Sequence, residues 1–273
     1  MTLPPVLTIA GSDSIGGAGV QADLKAFTAL GTYGMSVITA LTAQNTLEVR
    51  DILALDASFV QSQLVSVFSD IRPQAIKTGM LANETLIRTV LDFLIQQATD
   101  IPWVVDPVLV ATSGARLLAA GGESQLRLLC ARATVVTPNL PEAAVLADSP
   151  EPVSEKEVYT LGISLSTRYP HPFWLLKGGH ASWERHTVTN WLFQGGKLLQ
   201  RWVYPRLSLP RPPHGTGCTL ASAIAARLAH GDSPIMASLT ALDFVHQALL
   251  KSDLSLGKGA TVLNPCPLPC ATS

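Results

Sequence analysis

Charge is scarce in this chain. Acidic and basic side chains make up only 14% of its 273 residues, and 19 Lys and Arg against 20 Asp and Glu leave a formal net charge of −1. Both signs are scattered, so there is no basic footprint for nucleic acid or an anionic membrane, and a small-molecule partner is expected instead. Cysteine is scarce as well. Cys130, Cys218, Cys266 and Cys270 are too few for the disulfide framework of a secreted scaffold. Cys266 and Cys270 form a C-x3-C pair, but no second Cys or His pair follows to complete a metal site. No apolar run crosses a bilayer's thickness without Gly, Pro or a charge. Met1 to Pro5 lacks the basic segment and apolar stretch of a secretory signal, so a cytoplasmic chain with reduced thiols is expected.

Familiar catalytic signatures are missing too. Gly196-Lys197 is followed by Leu198 rather than Ser or Thr, so there is no Walker A loop. A Gly-x-Ser-x-Gly elbow and a His-Glu-x-x-His pair are both absent, which excludes two common hydrolase designs. The run Gly17-Ala18-Gly19-Val20-Gln21-Ala22 fits a relaxed dinucleotide fingerprint, but Gln44 and Asn45 stand where an acid should hold a ribose hydroxyl. The glycines are better read as admitting backbone close to a compact polar ligand.

What the chain has in plenty is apolar surface, 47% of its residues, enough to bury a large core. Strand-length apolar runs alternate with helical periodicity, the pattern of an α/β sheet covered on both faces. Strands are predicted at Val6–Ala10, Met35–Ala43, Ile52–Leu55, Ala75–Thr78, Trp103–Val105, Thr134–Thr137 and Phe173–Leu176. Helices are predicted at Ser58–Ser69, Glu84–Gln97 and Glu123–Arg132, and Val20, Leu24, Phe27 and Leu30 share one face of an earlier helix. Thr187–Phe193 and Lys197–Tyr204 flank Gly195-Gly196 and read as an antiparallel hairpin at a sheet edge. No linker divides the chain, so residues 1–273 are expected to form one domain, with a loose Pro-rich tail from about residue 260.

In an open α/β sheet, ligands bind beyond the carboxyl ends of the strands. The residues directly after the predicted strands are Gly11, Ser12 and Asp13; Gln44 and Asn45; Lys77 to Met80; Asp106; Asn139 and Glu142; and Lys177 to His180. Singly, each of these is also what a turn or a cap requires. Their placement on one rim is what points to a site. The sharpest local signal is His214-Gly215-Thr216-Gly217-Cys218-Thr219 before an apolar helix. Backbone N–H groups freed by two glycines at a helix start form an anion hole, suited to a phosphoryl group in transfer. Cys218 in the first turn is either a thiolate favoured by the helix end, able to take a hydroxyl proton, or a small buried residue. Asp106 and Glu142 are the carboxylates that could manage Mg²⁺, although Glu142 also suits a helix start. Lys177 and Gly178 suit a polyphosphate, and His214 reads as a cap or packing residue.

The segments LTIAGSDSIGGAGVQADLKAF, VITALTAQNT, IKTGML, VVDPVLVATSGARLL, VTPNLPEAAVL, LLKGGH and HGTGCTLASAIAA, in this order over residues 7 to about 226, resemble the hydroxymethylpyrimidine/phosphomethylpyrimidine kinase family. The resemblance implies a ribokinase-like fold and ATP-dependent phosphorylation of hydroxymethylpyrimidine and then its monophosphate, with Mg²⁺, an optional monovalent cation and a homodimer. By the same resemblance Gln44 pairs with the aminopyrimidine edge, Met80 packs on the ring near Gly11 and Val108, and Asp13 lies at the substrate loop. Cys218 takes the catalytic position, with Gly215, Thr216 and Gly217 around it, while Asn139, Lys177, Gly178 and Gly217 face ATP. Ile15 and Pro212-Pro213 depart from the family pattern. A pyridoxal kinase on the same fold, and a non-catalytic sensor that kept the pocket, are the alternative readings.

Overall fold

Alternation within the strands decides how the molecule is layered. Strand side chains point to opposite faces in turn, so an apolar run with no polar gap must be covered on both sides. Leu7, Ile9, Ile76, Trp103, Val105, Val136, Trp174 and Leu176 enter one core, while their chain neighbours Val6, Ala75, Val104, Val135 and Leu175 enter a second. The computed structural model describes residues 2–110, 114–252 and 255–265. In chain order the elements are β1 (Pro5–Asp13), α1 (Gly19–Ala29), β2 (Tyr33–Gln44), β3 (Val49–Ala54), α2 (Ala57–Phe68), β4 (Ala75–Thr78), α3 (Glu84–Gln97), β5 (Trp103–Val105), α4 (Glu123–Arg132) and β6 (Val135–Val136). They continue with α5 (Leu140–Ala147), α6 (Glu155–Arg168), β7 (Phe173–Lys177), β8 (Thr187–Gln194), β9 (Lys197–Pro205), β10 (Pro213–His214), α7 (Thr216–Ala229), α8 (Pro234–Leu250) and β11 (Thr261–Val262).

The main sheet has nine strands in the order β3-β2-β1-β4-β5-β6-β7-β8-β9. Its centre, β2 to β7, is parallel, as the alternating pattern predicts. The second hairpin strand, β9, forms the expected antiparallel edge with β8. At the other edge β3 pairs antiparallel with β2, because the link at residues 45–48 is a tight turn, far too short for a crossover helix. Helices α1, α7 and α8 contribute to the second core, and α2 to α6 to the first. Among the described residues no helix is long and apolar enough to cross a membrane.

The segment from about residue 260 departs from the loose tail expected of it. Ala260 N donates to Thr46 O at 2.8 Å, Thr261 N donates to Pro212 O at 2.9 Å, and β11 pairs in parallel with β10. Thr261 and Leu263 are buried, so backbone pairing and apolar burial together hold this piece down. Cys266 and Cys270 lie outside the described residues.

A second feature escaped the apolar pattern. Asp23 of α1 and Lys77 of β4 are fully buried, and Lys77 Nζ donates to both Asp23 oxygens at 2.9 and 2.8 Å. The hydroxyls of Thr8 and Ser222 donate to the same carboxylate at 2.6 and 2.7 Å. Burial works against the Lys77 charge, but Asp23 together with Cys218 and Asp106 more than offsets it and holds the ammonium above its ordinary range. Removing one member of such a pair strands a buried charge, whereas removing both does not. Lys77→Met is therefore expected to cost about 3–5 kcal/mol in urea unfolding. Lys77→Met combined with Asp23→Asn should recover most of that loss, and equal losses in the single and double variants would contradict this account.

Candidate active site

The strand order reverses between β1 and β4, since the chain lays β2 and β3 to one side of β1 and the later strands to the other. Such a switch point opens a crevice at the carboxyl ends of the strands. A cavity of about 930 Å³ lies there, lined by residues from every predicted rim segment, including Gly11, Gln44, Met80, Asp106, Glu142 and Cys218.

At one end the walls are apolar with one amide. Met80 stands over Gly11 so closely that a Cβ at residue 11 would meet its sulfur at 3.0 Å, and Val108 and Leu109 face the same space. Gln44 ends β2 and sends its amide towards His214, 3.1 Å away. Asp13 lines the cavity but is largely occupied by its own loop. Its carboxylate accepts from the N–H groups of Ile15, Gly17 and Ala18 at 3.1, 3.0 and 2.8 Å and contacts His214 Nε2 at 3.0 Å. Burial alone would raise its pKa, but these bonds together hold the carboxyl below its usual value. Ile15 joins this turn through its backbone, so its unusual side chain leaves the turn's hydrogen bonds in place.

In the middle lies the start of α7. Gly215 is its N-cap, with φ of +82°, and no side chain caps the helix. A Cβ at Gly215 would come within 1.7 Å of Gly17 O, so only glycine lets this turn approach the α1 loop. A Cβ at Gly217 would sit 3.1 Å from Lys177 Nζ and 3.3 Å from Asp106 Oδ2, so the glycine keeps the space beside that ion pair open. Helix α1 also starts without a side-chain cap, and its first residue, Gly19, offers its N–H to Cys218. Two helix starts thus converge on one sulfur.

That convergence does not make Cys218 a resting thiolate. Burial pushes its thiol up to about 11, Lys77 pulls it back down, and the Asp23 and Asp106 charges oppose ionisation. The expectation of a lowered pKa is corrected here: desolvation outweighs the helix ends and the cation.

At the far end Lys177 Nζ contacts Asp106 Oδ1 at 2.9 Å, and Thr137 donates to the same oxygen at 3.1 Å. Burial disfavours the Lys177 charge, but Asp106 and Glu142 more than compensate and raise its pKa. Glu142 forms a capping box with Asn139, each side chain accepting from the other's N–H at 2.8 Å. Burial lifts Glu142 to about 7 against the pull of Lys177, with Asp106 adding to the rise. Among the described residues no group of three or more His, Cys, Asp or Glu forms a ready-made metal cage. Among the described residues, however, none donates a hydrogen bond to Asp106 Oδ2, so the pair fits a cation such as Mg²⁺ that keeps most of its water and takes one or two carboxylates. Gly178 departs from its expected place at the nucleotide. It is buried, and a Cβ there would strike Thr189 O at 1.9 Å, so its role is to pack β7 on β8 while Gly179 reaches the cavity.

Sequence reading missed Asp23, Ser222, Thr42 and the site role of His214. Asp23 did carry a signal, since an acid one residue from Leu24 in an apolar helix needs a buried partner. Arg206 was missed as well; it lines the cavity and holds Gly179 O through Nη1 at 3.3 Å.

Known proteins bear on this geometry. A pyridoxal kinase from Staphylococcus aureus, solved with AMP-PCP and pyridoxal, superposes with a TM-score of 0.86 at 31% identity over 97% of this chain and 94% of that one. A phosphomethylpyrimidine kinase from Clostridium difficile 630 gives a TM-score of 0.76 at 36% identity, covering 90% of this chain and 99% of the other. Fold and site together define a small-molecule kinase of ribokinase-like architecture. The phosphomethylpyrimidine kinase family model matches residues 13–264, and the Escherichia coli (strain K12) hydroxymethylpyrimidine/phosphomethylpyrimidine kinase is 46% identical over 222 residues, 81% of each chain. The chain belongs to the phosphomethylpyrimidine kinase family.

Two predictions follow the electrostatics. Alkylation of Cys218 by iodoacetamide, mapped by mass spectrometry, should climb about tenfold per pH unit from 7 to 10, and a plateau near neutrality would refute a raised pKa. For Glu142, the folded pKa of about 7 exceeds its ordinary 4.5, so the fold favours the protonated form and loses that stabilisation as pH rises through about 7. Glu142→Gln keeps the cap without the charge, and should melt no lower than the parent at pH 8 while showing no gain at pH 5.

Proposed function

We propose that the chain transfers the terminal phosphoryl group of ATP to the hydroxymethyl group of 4-amino-5-hydroxymethyl-2-methylpyrimidine, and then phosphorylates the monophosphate, in thiamine biosynthesis. One observation carries the reading: a single cavity sets the ring pocket of Gln44, Met80 and Gly11 on one side of the α7 start, and Asp106, Glu142 and Lys177 on the other. The names of the relatives support the same substrates.

In this mechanism Gln44 offers a donor and an acceptor to the aminopyrimidine edge, and Met80 packs on the ring. Its hydroxymethyl group lies towards Cys218. The free N–H groups of Thr216, Gly217 and Cys218 take the charge that builds on the phosphoryl oxygens, and Lys177 neutralises the departing phosphate. Asn139 and Gly179 line the ATP side of the cavity. Asp106 and Glu142 are the residues that would hold Mg²⁺, which supplies charge neutralisation between the phosphates when bound. Cys218 takes the hydroxyl proton from its thiolate form, a small fraction at rest because burial raises its pKa to about 11 and one that Lys77 and the Gly19 N–H increase, and a loose transition state asks for that proton late.

A pyridoxal kinase is the second reading, because the S. aureus structural neighbour was solved with pyridoxal. Gln44 favours the pyrimidine, since an amide suits an amine beside a ring nitrogen. A cytoplasmic, single-domain, homodimeric enzyme completes the proposal, the dimer being supported by exposed Leu41, Leu53 and Phe59 about the β3 edge.

Measured ADP release should be faster with the pyrimidine alcohol than with pyridoxal, and should recur with the pyrimidine monophosphate. Preference for pyridoxal would overturn the assignment. Cys218→Ala is expected to lower kcat by about a hundredfold to ten-thousandfold while KM changes little, and near-parental turnover would remove the thiol from the chemistry. Turnover by the parent should rise with pH above neutrality, and Cys218→Asp should move that rise to lower pH.

A further inference from the structure

The backbone of Gln44 is clamped. Its N–H donates to Ser14 Oγ at 2.9 Å, and its carbonyl accepts from the Ser14 hydroxyl at 2.7 Å. Only the terminal amide can still choose, between two orientations a half-turn apart. As the side chain stands, its Nε2 lies 3.1 Å from His214 Nε2 and its Oε1 accepts from Thr42 Oγ1 at 3.3 Å.

Counting hydrogens decides between the orientations. His214 Nε2 is 3.0 Å from Asp13 Oδ2, and an ionised carboxylate can only accept, so Nε2 carries a hydrogen whether the ring is neutral or charged. On the other side Thr42 Oγ1 donates to Ser12 O at 2.9 Å, which leaves its lone pairs for a donor. An amide nitrogen facing His214 would set donor against donor. Turning the amide over puts its oxygen towards His214 and its nitrogen towards Thr42, so that the single Nε2 hydrogen of His214 is shared between Asp13 Oδ2 and Gln44 Oε1 and Thr42 Oγ1 accepts from the amide. His214 is itself immobilised: it is buried, its backbone is in β10, and a Cβ at Gly17 would come within 2.6 Å of its Cδ2.

We infer that His214, anchored by Asp13, and Thr42 lock the Gln44 amide in one orientation and so make it the residue that reads the order of donor and acceptor on the substrate ring. The lock leaves one Oε1 lone pair and one Nε2 hydrogen, side by side, for the ligand. A ring with an exocyclic amine beside an acceptor nitrogen matches that pair. A lactam, with a carbonyl beside a ring N–H, presents the reverse order and meets like against like. The ligand here rests on the functional reading above; the lock rests on the contacts alone.

The test compares kcat/KM for ATP-dependent phosphorylation of 5-hydroxymethyl-2-methylpyrimidine bearing a 4-amino or a 4-oxo group. The parent should prefer the amine by at least about a hundredfold, because the wrong order leaves buried polar groups unpaired. In His214→Leu the amide can turn, and the preference should shrink to below about tenfold, with Thr42→Val shifting it less in the same direction. An unchanged ratio in both variants, or no preference in the parent, would overturn the inference. Long-range ¹⁵N–¹H spectra of the parent read the His214 ring without any substrate. A hydrogen on Nε2 is expected, and a neutral ring protonated only on Nδ1 would refute the lock even if the pyrimidine proves to be the wrong substrate. Parent enzyme that turns over neither pyrimidine but shows the Nε2 hydrogen would count against the substrate assignment and leave the lock standing.

Discussion

The contact between Lys77 and Asp23 is the constraint on which the site depends. It joins β4 to α1, and through the hydroxyls of Thr8 and Ser222 it adds β1 and α7. Helices α1 and α7 are the ones whose uncapped starts face Cys218. An apolar contact could hold the same elements at the same distance, but it would tolerate a slide or a rotation that directional, charge-assisted bonds do not. The pair also leaves a cation near the Cys218 sulfur without leaving an unbalanced charge in the core.

Around Cys218 the same burial that makes electrostatic effects strong also penalises the anion they are meant to favour. Helix ends and Lys77 act to ionise the sulfur; desolvation and two carboxylates act against it, and they prevail at rest. The balance suits an enzyme whose substrate supplies the next change in local charge. Lys177 and Asp106 pair at the other end of the cavity in a comparable way, so a cation and an anion offset each other there too.

Much of the fold was legible because period and punctuation agreed with packing. Ala75–Thr78, Trp103–Val105, Glu84–Gln97 and Glu123–Arg132 lie where the apolar pattern put them, and Gly195-Gly196 turns the hairpin. The rim residues were legible for a different reason: strands of a parallel sheet all end on one side. What stayed hidden were relations between distant side chains. Nothing near Asp23 in the chain points to Lys77 or Ser222, and nothing near His214 points to Gln44 or Asp13. Cys218 shows the limit of local rules, since a helix start predicts a low pKa and the surrounding protein reverses it. Gly178 shows another, because its neighbour Gly179 is the one that reaches the cavity.

The pairing of β11 with β10 binds residues 261–262 to the segment that carries His214, directly before the anion-binding turn. The other walls of the pocket run from β1 to α8, where Leu242, Val245, His246 and Leu249 line it. The nine-stranded sheet and the buried ion pair are held by other contacts, so loosening this two-residue brace would free the turn before α7 ahead of the rest of the fold.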